Sequence, residues 1–181
     1  MTYMNNQLVL VVAKVNPIKI TCFAYLGRPE LLEMRPNPVT EGSMKFYAKK
    51  VMQNDGLWDK LSAGKECQSC YGAPNVYFTA VHHREIPDAI KAGKVDVGIV
   101  WATEYQNAMA HQLPVGVVNL PEKDSMKNEV NYLAGNVPGA PHAKAAMEYL
   151  KFLGTPAAQE AYAKFGFIEA TKEELEIRAI K

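Results

Sequence analysis

The chain has 181 residues, about one domain or one and a half, which is long enough to bury a core without disulfide or metal staples. With 48% hydrophobic and 22% charged residues, 12 Gly and 11 Pro, it has a globular composition, which excludes disorder as the main state and excludes collagenous or fibrous architecture. Twenty Lys and Arg against nineteen Asp and Glu leave a formal charge of +1, so no strong field favours nucleic acid or an anionic membrane, and a ligand has to be recognised locally.

In chain order, Gln7 to Val12 reads as a strand, a β-branched run ended by Asn16-Pro17. A helical turn is expected over Thr21 to Leu26, closed by Gly27 and Pro29. Leu31 to Arg35 is a short strand cut off by Pro36-Asn37-Pro38. Thr40 to Asn54 has the spacing of an amphipathic helix, with Thr40 and Ser43 as capping residues, Glu41 in the first turn and Met44, Tyr47, Ala48, Val51 and Met52 on one face. Ser62 to Asn75 is Gly, Ser, Cys and Pro rich and reads as a loop before a strand over Val76 to Val81. A short helix over Glu85 to Ala92 tolerates Pro87 in its first turn, and Val95 to Trp101 is an apolar strand of the kind buried on both faces.

Thr103 to His111 then reads as a helix, Val115 to Leu120 as a buried strand and Asn128 to Gly135 as another strand. Helices are expected over Ala143 to Leu153, Ala157 to Phe165 and Thr171 to Arg178, with Thr155 and Thr171 as N-caps and Glu174 completing a capping box. Strands alternating with helices predict an α/β fold with a largely parallel sheet. The longest apolar run, Leu8 to Ala13, is too short to span a bilayer. Met1-Thr-Tyr-Met-Asn-Asn lacks the basic n-region and cleavage site of a secretory signal.

The order of segments resembles a known family. Asn5-Asn-Gln-Leu-Val-Leu-Val-Val-Ala-Lys-Val-Asn-Pro is similar to the strand by which type 2 periplasmic solute-binding proteins of ABC transporters, notably the molybdate-binding ones, pass from their first lobe to their second. Pro36-Asn-Pro-Val-Thr-Glu-Gly-Ser, Asp96-Val-Gly-Ile-Val-Trp-Ala-Thr-Glu and the stretch from Tyr149 to Phe167, with its Gly-Thr-Pro break, resemble later segments of that family in the same order. The resemblance implies a hinge strand over residues 1–16, an α/β second lobe over 17–127, and a returning strand with C-terminal helices over 128–181, the first lobe being absent. It further implies a periplasmic or extracellular, non-enzymatic protein without a cofactor, which binds an oxyanion or other small molecule and hands it to a permease. Surface left bare by the missing lobe is expected to be tucked in, exposed, or paired in a homo-oligomer.

Candidate ligand residues lie at helix starts and strand ends. Free N–H groups and the helix dipole at Thr40, Gly42 and Ser43 favour an anion, although Thr40 and Ser43 equally suit simple capping and the Glu41 carboxylate would repel an oxyanion unless turned away. His82 and His83 follow a strand, where α/β sheets collect ligands; beside Arg84 they suit an anion or, as neutral imidazoles, a metal ion. Neighbouring side chains on extended backbone point to opposite faces, so one histidine is expected to reach a cleft and the other to pack. Trp101 and Thr103 offer an aromatic wall and a hydroxyl, or equally a core residue and an N-cap.

Cys67-Gln-Ser-Cys70 has the spacing of zinc knuckles and redox pairs, but the second ligand pair of a zinc signature is missing, so a site from Cys67, Cys70 and His82 is a minor alternative. The resemblance implies an oxidising compartment, where Cys67 and Cys70 could form a disulfide; in a reducing one they and Cys22 stay thiols. No nucleophile elbow, phosphate-binding glycine loop, metalloprotease motif or RNA-binding aromatic pattern is present. Two rivals remain: the effector-sensing domain of a transcription regulator and a Cys/His metal or thiol redox protein.

Overall fold

The computed structural model describes residues 1–37, 39–62 and 75–178. Cys67 and Cys70, with most of the expected 62–75 loop, lie outside the described residues, so neither the disulfide nor the Cys/His site is placed. The chain forms two compact units, residues 8–126 and residues 1–7 with 127–181.

The larger unit is a five-stranded sheet in the order β4-β3-β5-β2-β6. Its strands are β2 (Leu8–Ala13), β3 (Glu33–Arg35), β4 (Val76–Phe78), β5 (Val97–Trp101) and β6 (Val115–Asn119). β3 runs parallel to β4 and β5, whereas β2 is antiparallel to both β5 and β6. The sheet is therefore mixed: four strands share a direction and β2, next to the edge strand β6, opposes them. Hydrophobic pattern locates buried strands but does not encode their direction, so this reversal was hidden in the residues.

Helices cover both faces. Val9 and Val11 of β2 and Val100 of β5 pack with Ile86, Ala89 and Ile90 of α3 (Glu85–Lys91) and Ala108 of α4 (Ala102–Ala110). Alternation sends Leu8, Leu10 and Ile99 to the opposite face, where α1 (Gly42–Asn54) touches β5 and α5 (Glu122–Ser125) touches β2. This two-sided cover explains the unbroken apolar runs. A Cβ on Gly98 would come within 2.2 Å of Ile86 Cγ2, so α3 reaches the sheet only because β5 has no side chain there. A 3-10 turn over Phe23–Gly27 and the short α2 (Trp58–Ser62) complete the unit.

Inside the sheet, Glu33 and Arg35 sit two residues apart on β3, both buried and paired with each other. Burial pushes the Glu33 carboxyl up from its ordinary range and the guanidinium opposes that rise; burial likewise lowers Arg35, against the pull of Glu33.

In the smaller unit β1 (Thr2–Asn5) pairs antiparallel with β7 (Asn131–Leu133), joined by α6 (Ala143–Leu153) and α7 (Pro156–Ala163). Thr155 caps α7 as expected, its hydroxyl accepting from Ala158 N–H at 3.3 Å. Buried Gln159 donates to the carbonyls of Tyr3 and Leu153 at 2.7 and 2.8 Å and accepts from Ala170 N–H at 2.9 Å. The helix expected over Thr171 to Arg178 is absent. Its capping box forms, with Thr171 N–H on Glu174 Oε2 at 2.8 Å and Glu174 N–H on Thr171 Oγ1 at 3.2 Å. Thr2 N–H then takes the Glu174 carbonyl at 2.9 Å, and Ile177 and Arg178 stay exposed, so no apolar stripe holds further turns against the unit.

Arg35→Met strands the Glu33 carboxylate in the interior and is expected to cost about 3–5 kcal/mol. The double variant Glu33→Leu/Arg35→Met removes both charges and should recover at least half of that loss. Urea unfolding checks both; equal losses in the single and double variants would contradict the account.

Candidate ligand site at the strand tips

The carboxyl ends of β3, β4 and β5 share one edge of the sheet, and each leads into a helix: α1, α3 and α4 respectively. Asn37, just past β3, ties the first two connections together. Its Nδ2 donates to the carbonyls of Thr79 and Ala80 at 2.8 and 3.0 Å, and its Oδ1 accepts from Val39 and Thr40 N–H at 2.8 and 3.3 Å. Thr79 N–H still donates to the Arg35 carbonyl, but Asn37 N–H goes to the Thr79 hydroxyl and Asn37 Nδ2 donates to the Thr79 carbonyl, so the strand expected to run to Val81 stops at Phe78.

Thr40 is not the helix cap its residue type suggests. Its hydroxyl donates to the Val81 carbonyl, α1 begins at Gly42 with Glu41 at the N-cap, and no side chain caps its amides. Ser43 stands in the first turn, exposed. Gly42 is exposed, with no atom within 4 Å of where a Cβ would stand. The first-turn amides of Gly42, Ser43 and Met44 have no intrahelical acceptor, and among the described residues no other group takes them.

Glu41 turns away from that mouth. Its carboxylate is buried, accepts the His83 N–H and pairs with His83 Nδ1. His83 Nε2 lies 3.9 Å from Glu104 Oε1 in the first turn of α4, and Arg84 Nε donates to Glu104 Oε2 at 3.0 Å. Glu41, His83, Arg84 and Glu104 thus connect the starts of α1, α3 and α4. The expectation that the two histidines point apart fails: residues 82–84 are turned, not extended, and the rings stack with centroids 4.1 Å apart. Arg84 N–H donates to His82 Nδ1 at 3.1 Å, which keeps the half-buried His82 ring beside buried His83.

The turn before α3 carries its own anion. Glu85 accepts N–H bonds from Ala80, Val81 and His82 at 2.8, 2.8 and 3.0 Å. Burial pushes this carboxyl up, but the three amides and the His82 ring outweigh it, and Glu85 sits below the ordinary carboxylate range. A solute anion therefore finds those amides taken.

Trp101 is buried at the start of α4, its ring edge-on to Tyr47 of α1 at 5.7 Å, so it is a wall between the two helices more than an open contact. Thr103 is half-buried in the first turn of α4, not at its cap. Sequence reasoning missed Asn37, Glu85 and Glu104. The signal available for Glu104 was a carboxylate three residues beyond a buried strand, where a first helical turn exposes its N–H groups.

A family model of bacterial extracellular solute-binding proteins matches residues 1–168. The chain belongs to this family. It is 27% identical over 163 residues to YvgL of Bacillus subtilis (strain 168), a provisionally named ABC transporter substrate-binding lipoprotein, and covers 90% of itself and 55% of that protein. Among solved structures, the substrate-binding domain of a provisionally named molybdenum ABC transporter from Clostridium difficile aligns with TM-score 0.66 at 19% identity, over 94% of this chain and 66% of the other. The sulfate-binding protein SubI of Mycobacterium tuberculosis H37Rv aligns with TM-score 0.67 at 21% identity, over 95% and 59%. These structures share the fold, and this chain spans about half the length of the curated relative it matches.

Glu85→Ala is expected to cost about 1 kcal/mol at pH 7, the usual worth of a side chain satisfying loop and helix-start amides. Because folding lowers the Glu85 pKa, its contribution is present above the unfolded value and is lost as pH falls through the folded one. Urea unfolding across a pH series should show the gap between wild type and variant closing below the ordinary carboxylate range; a constant gap would contradict this.

Proposed function

We propose that this chain is the gripping part of a solute-binding component of an ABC transporter, acting in the periplasm or outside the cell. It takes a small oxyanion of the molybdate or sulfate class and presents it to a membrane permease. In this reading residues 1–16 form the hinge strand, 17–127 the second lobe and 128–181 the returning segment. The proposed mechanism is binding without covalent chemistry.

The observation that carries the reading is the first turn of α1, where unclaimed amides, an exposed Gly42 and the Ser43 hydroxyl converge at a sheet edge where Glu41 and Glu85 take the amides of residues 80 to 83. Helix-start amides are a ready anion site, and family membership supplies the context of solute capture. In this reading Thr40 and His82 flank that turn, Trp101 backs it through Tyr47, and Thr103 in the first turn of α4 completes the proposed set. An effector-sensing role would use the same fold; a solute that raises stability but engages no permease would favour it.

A thermal-shift and calorimetry series with molybdate, tungstate, sulfate and phosphate tests the reading, since a ligand at 100 times its Kd adds about 2.7 kcal/mol of apparent stability. Gly42→Asp is the informative variant. A carboxylate in the first turn favours the helix by roughly 0.3–1 kcal/mol yet repels an anion, so unliganded stability should hold or rise while affinity falls at least tenfold. Unchanged anion affinity in this variant would overturn the assignment.

The exposed, stacked rings of Tyr149 and Phe152 on α6 support a further proposal, homo-association through this apolar helix face. Sedimentation velocity should show concentration-dependent dimerisation that Tyr149→Lys/Phe152→Glu abolishes. A monomer at all concentrations would contradict it.

A further inference from the structure

We propose that Glu41, His82 and His83 form a binding site for one divalent transition-metal ion, a function separate from oxyanion capture. Each side chain offers a ligand atom, and the three atoms lie within 4.8 Å of one another. Bonds of about 2.0–2.2 Å to nitrogen and oxygen place two ligands of one ion roughly 3–3.6 Å apart, so about 1 Å of side-chain movement closes the set. Half-buried His82 has that freedom, while buried Glu41 and His83 supply a fixed pair.

Charge and satisfaction both favour a cation here. Among the described residues, Glu41, Glu85 and Glu104 bring three carboxylates to these turns, where Arg84 pairs with Glu104. His83 is 5% exposed, and its Nε2 has no hydrogen-bond partner among the described residues. A buried, unpartnered imidazole nitrogen beside carboxylates is costly without a proton or a metal. An ion held by Glu41 and His83 Nδ1 would take the place of the bond those two groups make, and Glu104 Oε1, 3.9 Å from Nε2, is placed to orient the ring as a carboxylate orients a ligating histidine. Two imidazoles with carboxylate oxygen suit zinc, nickel, cobalt or copper in preference to magnesium or calcium.

The test is calorimetric titration of the full chain with Zn2+ and with Co2+, in the wild type, in Cys67→Ser/Cys70→Ser and in His82→Ala. The expected result is one ion per chain, retained in the double-serine variant and weakened at least tenfold in His82→Ala, with the far-ultraviolet circular dichroism of His82→Ala unchanged. Bound Co2+ should show visible ligand-field bands without the near-ultraviolet charge-transfer band of thiolate ligation. Equal affinity in wild type and His82→Ala, or loss of binding in the double-serine variant, would overturn the proposal. Because the anion series reads the first turn of α1 and this titration reads the histidines, either can fail alone.

Discussion

The contact between Glu41 and His83 is the constraint on which the strand-tip region depends. It joins residues 42 positions apart, both buried, and fixes the start of α1 against the turn before α3. Glu104 and Arg84 extend the connection to α4. Removing one partner of such a pair leaves a buried polar group unsatisfied, which costs more than the pair's net worth. The contact also disposes of the repulsion that a carboxylate at a helix start would impose on an arriving anion. Turned inward, Glu41 pairs with His83 and leaves the first turn of α1 without a side-chain cap.

The division of amides among the three connections bears on selectivity. Protein carboxylates occupy the amides of residues 80 to 83, and Asn37 occupies those of Val39 and Thr40. The first turn of α1 stays open to a solute, and α4 at the same edge likewise begins without a side-chain cap among the described residues. On the proposed reading, a helix mouth backed by the aromatic pair Tyr47 and Trp101 suits one small anion in preference to an extended polyanion. The near-neutral total charge fits such local recognition.

Much of the fold was legible in the residues. Apolar runs marked β2, β5 and β6, and three-to-four spacing marked α1, because burial on one or both faces imposes those periods. What stayed hidden depends on distant partners. The direction of β2 is set by its neighbours β5 and β6, and the end of β4 by the bonds Thr79 makes with Arg35 and Asn37. The failed helix after Thr171 is the sharpest case, since its local capping signal was correct and a bond from Thr2 claimed the carbonyl that would have continued it. Within the site, Thr40 and Ser43 had the right residue types for caps, but the Val81 carbonyl took the Thr40 hydroxyl. His82 and His83 were correctly placed past a strand end; their stacking depends on turned backbone that their residue types do not specify.

The most direct measurement is a crystal structure of the chain grown with tungstate, with anomalous differences collected at the tungsten edge. The account predicts one dominant peak whose ligand oxygens lie about 3 Å, hydrogen-bond distance, from the Gly42 and Ser43 amides. A tungsten peak elsewhere on the chain, or none at tungstate concentrations that stabilise the protein, would contradict it.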